Sequence, residues 1–123
     1  IIFEKIQNTH IYKSMAFTSH HPVFITLTCL EWNWFLKHDT CKRIFIDALL
    51  FRVFKQDVEV YGFVIMPNHV HLIWRVADHL TLSDFQRDFL KYTAKGILVQ
   101  LRVLDTTLYE KTKVNFKDRS RQI

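Results

Sequence analysis

Glycine and proline are almost missing, at two of each in 123 residues. Glycine-rich loops that cradle phosphates need several glycines at fixed spacing, so no Walker loop and no dinucleotide-binding turn can be built here. Cysteine is equally scarce. Cys29 and Cys41 lie in apolar or helical contexts with no CxxC spacing. That excludes a zinc finger and reads as reduced thiols in a cytoplasmic protein. No run reaches the roughly 18–20 apolar residues of a membrane span, and no signal peptide is recognisable. A membrane is therefore not expected as a partner.

What is present points to a packed domain. Hydrophobic residues make up 49% of the chain and aromatics 15%, with eleven Phe. Such a composition argues against disorder, and the length suits one domain with one core. The formal charge of +5 favours an anionic partner such as nucleic acid or a membrane surface. The opening at Ile1 and the abrupt end at Ile123 raise the expectation of a chain incomplete at both ends. Residues 1–21 show no sustained period and read as an N-terminal arm with room for a short strand. Residues 22–123 read as the domain.

Within that domain the periods alternate. Pro22 opens a strand over 23–30, with Val23, Ile25, Leu27 and Cys29 on one face and Thr26 and Thr28 on the other. A loop carrying Trp32, Trp34 and Phe35 follows. Asp39 or Thr40 is the expected cap of a helix from Cys41 to about Gln56, its apolar side made by Ile44, Phe45, Ala48, Leu49, Val53 and Phe54. Strands are expected over 58–66 and 70–76, joined at Pro67-Asn68 into an antiparallel hairpin. Thr81 or Ser83 caps a second helix with the stripe Leu82, Phe85, Phe89, Ile97, Leu101 and Leu104. After Asp105 the pattern fades, and 111–121 reads as a basic loop or tail. The order strand, helix, strand, strand, helix predicts an α+β fold of the ferredoxin-like, split βαβ type: an antiparallel sheet with two helices on one face. The segment 112–116 is the candidate for a closing strand.

His69-Val70-His71 carries the chemistry. Residues two apart on a strand share a face, so both imidazoles project side by side while Val70 turns into the core. Paired imidazoles can chelate a divalent ion. With water, Mg²⁺ or Mn²⁺ held there could polarise a phosphodiester, although Mg²⁺ prefers oxygen and calls for a further ligand. The plain alternative is two structural histidines. A histidine-triad hydrolase needs a third alternating histidine, and Ile73 stands in that place; another hydrolase built on an HxH strand remains a separate class.

The run Tyr61-Gly62-Phe63-Val64-Ile65-Met66-Pro67-Asn68-His69-Val70-His71-Leu72-Ile73, with Leu82-Ser83-Asp84-Phe85-Gln86-Arg87-Asp88-Phe89-Leu90-Lys91-Tyr92-Thr93-Ala94-Lys95, resembles the single-tyrosine HUH transposases, and within them the REP-associated tyrosine transposases. The strand Phe24 to Cys29 resembles that family's first strand. The likeness spans residues 22–121 and leaves out the arm. It implies a dimeric nuclease of bacterial cytoplasm and nucleoid that cuts single-stranded DNA at hairpin-bearing element ends. A tyrosine attacks the phosphodiester to give a 5′-phosphotyrosine, and His69 and His71 are the metal ligands.

In such relatives the tyrosine and a further polar metal contact lie on a helix after the segment resembling 116–119. The resemblance therefore gives this sequence the metal half of the site and no nucleophile, so the chain reads either as part of a longer enzyme or as a truncated single-stranded DNA-binding module. Tyr92, beside Lys91 and Lys95, is a substitute, although its spacing from Phe89 equally fits packing against a sheet. Tyr12, Tyr61 and Tyr109 make no stronger case. Arg87, Lys91, Lys95 and Arg102 form a basic row that is either a solvated helix face or a phosphate grip, which Lys111, Lys113, Lys117, Arg119 and Arg121 could extend. Trp32, Trp34 and Phe35 are either plugs at a sheet edge or platforms for unpaired bases.

Overall fold

A computed structural model describes residues 2–4, 17–116 and 119–121. The strands are β1 (Ile2–Glu4), β2 (Val23–Thr28), β3 (Val58–Met66) and β4 (His69–Val76), and the helices are α1 (Asp39–Phe54) and α2 (Leu82–Leu104). A short helix α3 (Thr106–Glu110) and a hairpin of β5 (Lys113–Phe116) and β6 (Arg119–Arg121) follow. The main sheet is antiparallel with strand order β1-β3-β4-β2. β4 lies between β2 and β3, which makes β2-α1-β3 a split βαβ unit. The fold is α+β and ferredoxin-like, as expected.

Alternation on β4 sets the layers. Val70, Leu72, Trp74 and Val76 are buried, with Trp74 edge-on to Phe85 at 5.1 Å and Phe89 at 5.5 Å. Phe45 of α1 meets Phe89 at 5.3 Å, so both helices cover this one face. β3 keeps Val58, Val60, Phe63 and Ile65 inward although their spacing breaks the period of two. A register shift between Val60 and Gly62 absorbs the extra residue at Tyr61 as a bulge. Pro67 and Asn68 form the expected tight turn, with Met66 opposite His69.

The helices differ from expectation in their caps. His38, not Asp39 or Thr40, is the N-cap of α1, and its side chain caps nothing. Its Nε2 instead lies 3.0 Å from Asp105 Oδ2. Asp39 stands in the first turn, where a carboxylate suits the helix dipole. Asp105 also accepts from Leu108 N–H at 3.1 Å and so starts α3, a helix with no expectation from sequence. His38 first, then the Leu108 N–H, hold the Asp105 carboxyl below its ordinary pKa. Thr81 caps α2 as expected, accepting from Asp84 N–H at 3.3 Å. Phe54 and Leu104, assigned to apolar stripes, end up 86% and 48% exposed because each is the last residue of its helix.

The ends of the domain also differ. β1 adds to the outer edge of β3. Phe17 is buried, and Asp78 accepts from the backbone N–H groups of Thr18 at 2.9 Å and Ser19 at 2.7 Å. Part of the arm is thus packed onto the domain, while residues 5–16 lie outside the described residues. The candidate closing strand exists at Lys113–Phe116, but it pairs with β6 and not with the sheet. Among the described residues the outer edge of β2 has no strand beside it. No helix of the described residues is long and apolar enough to cross a membrane.

Two backbone positions generate tests. Gln56 has φ 60° just past α1, where Gln56 N–H donates to Val53 O and Asp57 N–H to Arg52 O, both at 3.0 Å. This is a Schellman ending built without glycine. Gln56→Gly should raise stability by about 0.5–1 kcal/mol in denaturant unfolding; a loss would contradict the strain. Gly96 sits where α2 meets α1, and a methyl there would come within 2.9 Å of Ile44 Cγ2. An exposed helical glycine gains about 1 kcal/mol on becoming alanine. Gly96→Ala should lack that gain and be neutral or lose up to about 2 kcal/mol.

Candidate metal and nucleic-acid site

Because Val70 and Leu72 point at the helices, His69 and His71 point to the opposite, open face of the sheet. Thr28 on β2 lies across from His69 and Thr26 from His71, with Met66 and Val64 on the β3 side. The two rings lean together, with centroids 4.8 Å apart and planes at 77°. Each is anchored by Nδ1. His69 Nδ1–H donates to Asn68 Oδ1 at 2.7 Å, since an amide oxygen only accepts. His71 Nδ1 lies 3.0 Å from the Thr26 hydroxyl. With Thr26 accepting, both Nε2 atoms keep their lone pairs. A polar partner on the remote nitrogen is the usual support of a metal-binding histidine.

The donor set fits a divalent ion only in part. Among the described residues no cluster of three or more His, Cys, Asp or Glu could hold a metal. Two imidazoles suit a borderline ion, whereas Mg²⁺ and Mn²⁺ want oxygen donors as well. The Thr26 and Thr28 hydroxyls, water and a phosphate are the oxygens this open face can offer.

Aromatic rings surround the pair. Phe24 stacks on His71 at 5.5 Å with planes 22° apart, and Trp32 meets His69 edge-on at 5.8 Å. Phe24 and Trp32 are 63% and 58% exposed. The Trp32-Trp34-Phe35 group therefore divides: Phe35 is a fully buried plug, while both tryptophans face solvent. Phe24 went unrecognised from sequence, although its spacing of two from Thr26 already put it on this face. Trp32 had no such signal.

The other candidates lie elsewhere. Phe85, Phe89, Thr93, Ile97 and Leu101 face the sheet, so Arg87, Lys91, Lys95 and Arg102 look outward from the far side of the helix layer. The sheet itself separates them from the histidines. Arg87 is also engaged with Asp84 at 3.4 Å and Asp88 at 3.5 Å. Tyr92 is 69% exposed on the same helix layer, beside Phe51 and Arg52. It is not a core residue, and it lies in the helix layer, on the other side of the sheet from the histidine pair.

Tyr61 does share the open face, about 10 Å from His71 by strand register. Its ring lies under the Arg75 guanidinium at 5.9 Å, and Arg75 binds Glu59 at 2.9 Å. Burial, then Glu59, raise the Tyr61 pKa against the pull of Arg75. Tyr109 is half-buried on α3. Lys111 is exposed and Lys113 binds Glu110 at 2.9 Å. Tyr12 and Lys117 lie outside the described residues, as do the side chains of Arg119 and Arg121.

Compared with known proteins, the chain matches no family model and no curated protein.

Proposed function

We propose that this domain binds single-stranded or hairpin-bearing DNA on the open face of its sheet and takes part in its nicking and rejoining, as a single-tyrosine HUH transposase of the REP-associated kind. The observation that carries the reading is the histidine pair: two Nδ1-anchored imidazoles, side by side on the exposed face, with both Nε2 atoms directed away from their anchors. The exposed rings flanking the pair support a ligand with unpaired bases; the net charge of +5 favours a polyanion for the chain as a whole, while the basic row of α2 lies on the opposite side of the sheet. A Mg²⁺ or Mn²⁺ ion bound there would polarise the scissile phosphate. His69 and His71 would hold the phosphate's position through it, and Asn68 and Thr26 would fix the ring orientations.

In the step itself a tyrosine oxygen bonds to phosphorus and the bond from phosphorus to the 3′ oxygen breaks. The tyrosine proton ends on that oxygen, leaving a 5′-phosphotyrosine and a free 3′-OH. Among the described residues no tyrosine is placed for this attack, so residues other than these must supply it. The same fact favours a second reading, a module that grips single-stranded DNA and does not cut. The resemblance also suggests a homodimer working at the bacterial nucleoid.

Hairpin-bearing single-stranded DNA and Mn²⁺, given to the full-length protein, separate the two readings. The enzyme should form a covalent protein–DNA adduct that survives denaturing electrophoresis, and His69→Ala with His71→Ala should abolish it. Those substitutions are at half-exposed positions and should shift stability by no more than about 1 kcal/mol, so loss of the adduct will not reflect unfolding. Salt-sensitive binding without an adduct supports the non-cutting module. Each phosphate contact should add about 0.7 to the log–log salt slope. A flat response to salt contradicts both.

A further inference from the structure

The open face holds more exposed aromatic surface than a metal site needs. Trp32 reaches it through an unusual backbone: Glu31 and Trp32 have φ 53° and 57°, two successive non-glycine residues in the left-handed region. Residues with bulky side chains rarely adopt that conformation, and it persists only where the surroundings hold it. Here they do. Trp32 N–H donates to Cys29 O at 3.0 Å, and Asn33 donates to Leu30 O through N–H at 3.1 Å and Nδ2 at 3.0 Å. The loop is also tied to the turn before His69. Cys29 N–H donates to Asn68 O at 3.0 Å and Leu36 N–H to Pro67 O at 2.9 Å. The same turn thus positions His69 and Trp32, and the indole stays exposed beside the imidazole. On the other side of the pair Phe24 already carries one planar ring, that of His71, in a stacked arrangement.

We propose that Trp32 and Phe24 are stacking walls for the unpaired nucleobases on either side of the phosphate that His69 and His71 address. The proposal rests on the single-stranded DNA reading above and names what the site recognises: base faces, not base edges. Every base has such a face, so the contact tolerates sequence. It also requires bases that are out of a duplex, which gives the site a preference for single strands. Trp34, 55% exposed on the same loop but with no ring contact to either histidine, is the internal control.

The test is the affinity of the protein for a fluorescein-labelled oligothymidylate, followed by anisotropy, beside the same strand carrying abasic sites. Trp32→Leu should weaken binding of the intact strand by roughly 5- to 150-fold, and Trp32→Phe should recover most of that loss. Trp34→Leu should leave the affinity nearly unchanged. The abasic strand should bind the unaltered protein and Trp32→Leu alike, because the partner of the indole is gone. Equal binding of the intact strand by Trp32→Leu overturns the stacking role and leaves the DNA reading standing. If Trp32→Leu and Trp32→Phe both weaken binding, and do so equally for the intact and the abasic strand, Trp32 serves structure alone and the stacking role is also overturned. Failure of the unaltered protein to bind any single strand overturns both.

Discussion

Trp74 wedged against Phe85 and Phe89 holds β4 in one register, and the placement of every chemical group follows from that. Side chains on a strand change face with each residue, so a slip of one position would drive His69 and His71 into the helix layer and expose Val70, Leu72 and Trp74. Burial of those three is worth several kcal/mol by the usual scale for apolar surface, which makes the slip prohibitive. Among the described residues Trp74 Nε1 is buried with no hydrogen-bond partner, and the indole serves here through its bulk. The inner face of the strand thereby guarantees what its outer face presents.

Around that strand the outer face is organised by short-range hydrogen bonds. Asn68 and Thr26 orient one ring each. Both belong to elements that β4 itself pairs with or turns from, so the orientation does not depend on distant packing. The aromatic neighbours arrive by different routes. Phe24 comes from strand alternation on β2, whereas Trp32 depends on a left-handed backbone tied across to the Pro67-Asn68 turn. The result is an exposed mixed surface of imidazole, hydroxyl and aromatic rings, with the charged groups Arg75 and Glu59 occupied with each other at its far end.

Much of this was legible in the residues. Alternation located β2 and β4, apolar spacing located both helices, and Pro67-Asn68 located the turn that starts the histidine strand. The bounds of β3 could be read because its inward residues are strongly apolar, although the bulge at Tyr61 could not. What escaped reading depends on contacts distant in sequence or on unfavourable backbone. Room for a short strand was visible in the arm, but β1, three residues long, has no period to fix its position or its pairing with β3. The ending of α1 uses Gln56 where glycine is the usual signal, and the cap position falls to His38, whose ring makes no cap bond and meets Asp105 instead. The basic row on α2 teaches a different lesson. Alternation that turns Val70 toward the helices also turns the histidines away from them, so the separation of row and pair is implicit in the sequence.

Joint ligation of one divalent ion by His69 and His71, through their Nε2 atoms, is the proposal on which the nicking reading turns. Mn²⁺ titration followed by NMR of the imidazole ring protons tests it most directly, because a paramagnetic ion broadens the signals nearest to it. The His69 and His71 signals should disappear first and together, with His38 and His79 unaffected at the same metal concentration. Sharp His69 and His71 signals throughout the titration, or loss of only one of them, would contradict it.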